Sequence, residues 1–244
     1  MGATVTARIA RGAEAAAYFE PSTPDIRAER ILRIQGYKDL GCVRPAITRA
    51  ANEMAASAMR LTTARIAYRF VAIRGLRGGV LTLAEGGPLR CAAFDRQFEA
   101  CTEVAPFVLS LGHALSDHVI ELAGRGDLLE AVLLETAGWL GIEDATRQFK
   151  AHVREAAERR GSRITPRLGP GYTYRIGKAD VMWPLEEQDA LFGLLEGAEL
   201  PATLLASCAM SPKMSRSGLF GLAPISTAPA AVRREAPANQ ELKP

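Results

Sequence analysis

A fixed cation, a rigid turn and an aromatic ring fall within six residues at Arg167-Leu168-Gly169-Pro170-Gly171-Tyr172. An arginine presents a planar fork of donors that matches a carboxylate in two parallel bonds, and it keeps its charge at any relevant pH. Arg167 is therefore the leading candidate for contact with a small anionic or zwitterionic molecule. Pro170 presets one backbone angle, and Gly171 permits a positive φ or a close approach of ligand to main chain, so that a defined turn presents Tyr172. Read alone, the hexapeptide also fits a surface turn carrying a solvated arginine.

Two further segments bear on that choice. After a polar insert over 173–182 comes Trp183-Pro184-Leu185-Glu186-Glu187-Gln188, and later the run from Leu204 through Ser207, Met210, Pro212, Ser215, Ser217 and Gly218 to Phe220. Together with the hexapeptide they resemble the C-terminal activation domain of cobalamin-dependent methionine synthase, and more closely its short stand-alone relatives associated with corrinoid methyltransferases. In that family an Arg-x-x-x-Gly-Tyr motif leads into a helix rich in Leu, Glu and Gln. A strand, a Met-x-Pro step and a Ser-x-Ser-Gly turn follow. Arg167, Gly171 and Tyr172 fill the first motif, and Ser207, Met210, Pro212, Ser215, Ser217 and Gly218 fill the last. Ile31 to Tyr37 looks like the opening helix and Gly-Tyr turn, and Phe107 to Gly112 like an apolar strand ending in a Leu-Gly turn, so the resemblance covers roughly residues 27 to 223.

The resemblance implies S-adenosylmethionine as ligand, held in a shallow groove. Arg167 would bind the methionyl carboxylate, backbone groups around Leu168, Gly169, Pro170 and Gly171 would contact the ligand, and Tyr172 would shape the pocket. Ser215, Ser217 and Gly218 would form a second wall, with Phe220 facing the adenosine. None of these is an acid, base or nucleophile, which suits methyl transfer to a reduced corrinoid, since that step needs no proton transfer. The domain would hold the donor over the cofactor, a gain by proximity and orientation. The implied role is a stand-alone activation subunit for reductive remethylation of cobalamin in a split methionine synthase. Cobalamin would be carried by a partner chain, because none of the three histidines sits in an Asp-x-His-x-x-Gly motif, and a flavodoxin-like protein would donate the electron.

Departures from the family keep two other readings open. Leu205 and Ala206 stand where the family has Thr-Glu, no Asp-x-x-Pro-Phe counterpart appears among residues 17–21, and the insert lengthens the loop after Tyr172. A non-enzymatic corrinoid-protein partner that keeps the fold but has lost the ligand would show these losses. So would an unrelated α+β domain that binds another small acid.

Bulk properties narrow the field. At 244 residues the chain can bury a full core without staples. An apolar fraction of 48%, a charged fraction of 23% and a net charge of +3 are those of an ordinary globular protein, and the dispersed basic residues argue against nucleic-acid binding. No apolar run approaches the roughly twenty residues of a membrane span. Cys42, Cys91, Cys101 and Cys208 show no Cys-x-x-Cys spacing, which argues against a metal or disulfide framework and for a reduced, cytoplasmic setting. His113 and His118 lie five apart, a spacing that does not stack two ligands on one helix face.

The elements that must position these residues read as blocks of helix and strand. The expected fold is α+β, a single domain with a twisted antiparallel sheet flanked by helices, over residues 25–223. A 1–24 extension precedes it, and a Pro- and Ala-rich 224–244 tail, of disordered composition, follows. Helices are expected over 25–36, 45–62, 113–123 and from Asp127 to about 160, with Leu128, Val132, Leu133, Thr136, Trp139 and Leu140 in the core and the charged second half projecting outward. Strands are expected over 64–73, 80–84, 104–111 and 202–210, the last beside the Arg167 loop. Gly75, Gly78, Gly79, Gly86 and Gly87 read as hairpin turns, since no Gly-Lys-Ser/Thr ending or following helix makes a phosphate loop. A helix starting at Pro184 would align Leu185, Gln188, Phe192 and Leu195 along one stripe.

Overall fold

The structure is a computed structural model, and it describes residues 15–225. Residues 226–244 of the expected tail and 1–14 of the expected extension lie outside the described residues.

The strongest apolar run, from Val104 to Leu111, becomes the central strand of an eight-stranded antiparallel sheet. In chain order the strands are β1 (Ala17–Phe19), β2 (Arg65–Tyr68), β3 (Val71–Arg77), β4 (Val80–Leu83), β5 (Leu89–Arg90), β6 (Glu103–Ser110), β7 (Ser162–Ile164), β8 (Thr173–Ile176), β9 (Ala179–Met182), β10 (Thr203–Leu204), β11 (Met210–Ser211) and β12 (Ser215–Pro224). The helices are α1 (Ala28–Ile34), α2 (Pro45–Leu61), α3 (Phe94–Gln97), α4 (His113–Arg125), α5 (Leu128–Arg159) and α6 (Gln188–Gly193). β6 pairs with β2 and β3 on one side and with β12 on the other; β1 flanks β2, β4 and β5 extend β3, and β7 closes the far edge against β12. The hairpins β8–β9 and β10–β11 form separate two-stranded sheets.

The strand expected over 64–73 divides into β2 and β3 for a local reason. The register against β6 is unbroken, with Tyr68 opposite Phe107 and Val71 opposite Val104. Between them Arg69 faces Pro106, which accepts from the Arg69 amide at 3.4 Å but has no N–H to return. One missing ladder bond splits the strand without shifting its faces.

Alternation along the sheet builds two cores. On one face Ile66, Tyr68, Phe70, Phe107, Leu109, Phe220 and Leu222 meet α1, α2, α4 and α5. On the other, Val71, Leu81, Leu89, Val104, Val108, Leu168 and Leu219 meet Phe94, Phe98, Trp183 and α6. The α+β architecture follows the sequence expectation, with a curled antiparallel sheet and helices against it.

Several local expectations are corrected. Residues 17–19, assigned to the extension, form edge strand β1, paired with Ile66 to Tyr68. Within α5, Leu128, Val132 and Trp139 are 63%, 48% and 41% exposed, whereas Leu133, Thr136 and Leu140 are buried. The second half of α5 does not project: Ala145, Phe149, Val153, Ala156 and Ala157 continue the buried stripe. In a 32-residue helix the phase of that stripe is set by the sheet beneath it, and the first half offers two apolar faces from which to choose. Asp127 occupies the N-cap position but makes no side-chain cap bond. Residues 202–210 form no continuous strand but supply β10, the loop after it and the first residue of β11, and the strand beside the Arg167 loop is β12 instead.

Candidate functional site

Arg167 leaves the sheet just past β7, where the chain makes a single antiparallel bridge to β12. Leu168 donates to the Leu219 carbonyl at 3.0 Å and accepts from the Leu219 amide at 2.8 Å. This bridge joins two motifs fifty residues apart. Beside it the Arg167 guanidinium lies over the Tyr172 ring, 4.7 Å from guanidinium carbon to ring centroid, and its Nη1 donates to the Ser217 carbonyl at 3.4 Å. Among the described residues no carboxylate forms an ion pair with Arg167. The cation is half-buried and Tyr172 is 44% exposed, so a charge and a ring face reach the surface together.

Two glycines make this approach possible. A Cβ on Gly169 would stand 2.8 Å from Arg167 Nη1 and 3.0 Å from the Ser217 carbonyl, and one on Gly218 would stand 2.4 Å from the Leu168 carbonyl. The two backbones form a close-packed cradle that leaves no room for a side chain on either glycine. Gly171, at φ 82°, closes the turn by donating to the Trp183 carbonyl at 2.8 Å, and Trp183 donates back to Tyr172 at 3.0 Å. The fully buried Trp183 ring anchors this base against Phe94.

The remaining expected site residues are placed differently. The Ser-x-Ser-Gly stretch is not a turn; it opens strand β12. Ser215 and Ser217 are buried, the first donating to the Pro212 carbonyl at 2.7 Å and the second to Gln188 Oε1 at 2.9 Å. The Phe220 ring is fully buried, stacked on Phe107 at 5.7 Å, and so cannot face a ligand: alternation on β12 turns it into the helical core. Backbone donors are also largely engaged. The Leu168 and Gly171 amides bond to main chain, Pro170 has none, and the Gly169 amide donates to the Tyr174 hydroxyl at 2.7 Å.

Four residues that sequence reading passed over complete the arrangement. Gln188, 2% exposed, accepts from Ser217 and donates from Nε2 to the Cys208 carbonyl at 3.2 Å, tying the β10–β11 hairpin to the site edge. Cys208 itself sits at φ 61°. Arg216, 8% exposed, is ion-paired with Glu143 and donates to Thr146 Oγ1 at 3.0 Å. Burial would push the Glu143 carboxyl up, but the Arg216 hydrogen bond and charge, with Arg167 and Arg30 nearby, hold it below the usual carboxylate range. Arg167 thus lies within electrostatic reach of the Arg216–Glu143 pair. Tyr174, in the insert, returns its hydroxyl to Gly169; burial pushes its pKa up, and the Gly169 bond and Arg167 oppose that only in part. An alternation reading of Ser215-Arg216-Ser217 could have found Arg216, and the helical stripe that includes Gln188 pointed to its burial, but nothing in the sequence marked Tyr174.

Fold and site edge together define an α+β protein with a curled antiparallel sheet, its long helices on one face and an arginine-bearing turn bridged to a sheet strand. Among solved structures, one described as the crystal structure of the MetH reactivation domain bound to AdoHcy matches over 91% of this chain and 82% of that one, with a TM-score of 0.59 and 14% sequence identity. The protein has the fold of that reactivation domain. No protein-family model and no curated protein matches the sequence. Among the described residues no helix is long and apolar enough to cross a membrane, and no group of three His, Cys, Asp or Glu side chains is placed to hold a metal ion.

Proposed function

We propose that this protein binds S-adenosylmethionine at the Arg167 edge and serves as a stand-alone activation subunit for reductive remethylation of a cobalamin carried by a partner chain, within a split methionine synthase. The observation that carries this reading is the Arg167 guanidinium, without a carboxylate ion-pair partner among the described residues, stacked over Tyr172 beside the closely packed Gly169 and Gly218 backbones. It stands in the fold of a domain whose solved structure is described as bound to AdoHcy. These groups suit the ligand: a fork of donors for its carboxylate and an aromatic face. When bound, the sulfonium supplies a methyl group, and a flavodoxin-like donor supplies the electron.

The chain's own contribution is positional. Arg167 fixes one end of the ligand, Tyr172 limits its orientation, and the buried Gln188 and Trp183 hold the strand and turn that carry them. Arg167, the residue assigned to the ligand's carboxylate, is neither acid, base nor nucleophile, which agrees with a reaction that moves no proton.

A second reading has a specific observation in its favour: most of the loop's amide donors and both serine hydroxyls are already bonded within the protein. It is that of a non-enzymatic corrinoid-protein partner that keeps the fold but binds no S-adenosylmethionine. Titration calorimetry with S-adenosylmethionine and AdoHcy separates the two. The first reading expects saturable heat, weakened roughly ten- to a hundredfold in Arg167→Ala, the loss of a charge-assisted bond. A folded protein that gives no heat at about millimolar ligand, yet is retained by a cobalamin-loaded partner, sinks the first reading and leaves the second.

A further inference from the structure

Resting on that reading, we propose that Tyr174 is a specificity-determining residue that controls occupancy of the site by holding, with its own hydroxyl, the donor and acceptor that Gly169 offers to a ligand. The Gly169 N–H donates to Tyr174 Oη at 2.7 Å, and the same hydroxyl donates to the Gly169 carbonyl at 2.9 Å. The Gly169 amide and carbonyl both reach the same hydroxyl, so a single group satisfies both. Any planar group with adjacent donor and acceptor, such as an adenine ring or a carboxamide, satisfies them equally well.

The neighbouring residues offer no such edge. Leu168 spends both its groups on Leu219, the Gly171 amide is committed to Trp183, and Pro170 has no donor. Gly169 alone in this turn is satisfied by a side chain, and that side chain belongs to a small hairpin. The β8–β9 hairpin forms its own two-stranded sheet, with turn residue Gly177 at φ 63° and an ion pair of Arg175 with Asp180 across its exposed surface. Rotation of one tyrosine, or a small shift of the hairpin, uncovers the edge without breaking the main sheet. Gly169 is also where a Cβ would meet Arg167, so its edge and the guanidinium belong to one site.

In this arrangement the hydroxyl competes with the ligand. A bound molecule exchanges two internal hydrogen bonds for two of its own, and the resulting penalty admits only ligands that restore both. The ring, half-buried against the core that includes Trp183, remains in place when the hydroxyl is removed.

The test is titration of AdoHcy into full-length wild-type protein and Tyr174→Phe, with amide exchange of Gly169 followed by NMR. The expected result is an affinity several-fold to about tenfold higher in Tyr174→Phe, with little change in Tm. In that variant Gly169 exchange quickens in the free protein and slows again with AdoHcy. Unchanged or weaker affinity in a stably folded Tyr174→Phe overturns the proposal and makes Tyr174 a brace. Binding by neither protein, with both folded, sinks the ligand reading itself and this inference with it. Should Tyr174→Phe fold poorly, 3-fluorotyrosine incorporated into the wild-type sequence provides the second readout. The resonance of residue 174 shifts on AdoHcy addition if the hydroxyl is displaced, and a resonance that stays put while AdoHcy binds overturns the proposal.

Discussion

At the scale of single residues, the site depends on atoms that are missing. Gly169 and Gly218 let two backbones meet where an arginine, a carbonyl and an aromatic ring converge. The two should differ when substituted. Gly169→Ala places a methyl group 2.8 Å from the far end of the flexible Arg167 side chain, which can move aside, and 3.0 Å from the Ser217 carbonyl, which must give only slightly. The expected outcome is a loss of AdoHcy affinity of about tenfold with a smaller fall in stability than for Gly218→Ala, read by calorimetry and thermal denaturation. Gly218→Ala instead drives a methyl group 2.4 Å from the Leu168 carbonyl, a rigid main-chain atom, at φ 157°. Here stability itself should fall, by about 2 kcal/mol or more in chemical denaturation, because the bridge between β12 and the turn must open. Equal effects in both assays would show that the cradle does not separate binding from folding as described.

Among the elements, helix α5 shows how periodicity can be right while its phase is wrong. Its length and start were legible from Asp127 and the apolar repeat, yet Trp139 faces solvent and Phe149 the core. The apolar residues of the first half occur on two faces, and only the sheet decides which face is covered. The chain's two tryptophans turn this into a measurement. Trp139, 41% exposed, should cost less than about 1 kcal/mol when changed to alanine, whereas Trp183, fully buried against Phe94, should cost about 3 to 5 kcal/mol. The insert over 173–182 carries a similar lesson. It reads as a polar lengthening of a loop, but it folds into the β8–β9 hairpin, and its Tyr174 hydroxyl reaches back five residues to Gly169. A tyrosine in a short strand has no sequence signature for that bond, since its partner is a main-chain group brought near by the turn.

For the molecule as a whole, two cores lie on opposite faces of one sheet, and the Arg167 turn is held by the one that contains Trp183. The helical core holds a titratable group of its own. His152 of α5 stacks on Phe19 at 4.5 Å and shares a 2.7 Å hydrogen bond with the Tyr68 hydroxyl. Burial, with Arg159 adding and Glu155 opposing, lowers its pKa from the ordinary value of 6.5. The unfolded chain therefore takes up the proton first as the pH falls. The stability that neutral His152 contributes is full above about pH 6.5 and is lost progressively below it, toward the lower folded pKa. Denaturation at about pH 8 and about pH 5.5 should show a larger acid loss in the wild type than in His152→Asn; identical losses would remove this role from His152.

The sequence by itself determined the α+β class, the central strand, the long helix and the Arg167 to Tyr172 turn. These rest on alternation, helical repeat, proline and glycine, which act between residues close along the chain. Tertiary structure alone decided that β12 lies beside Arg167, that Phe220 turns into the core, that Gln188 and Arg216 are buried behind the site, and that Tyr174 closes on Gly169. Each of these joins groups on separate strands, helices or turns, or depends on which sheet face a strand buries. Such pairings are settled by register and by the covering of apolar surface, which no local pattern contains.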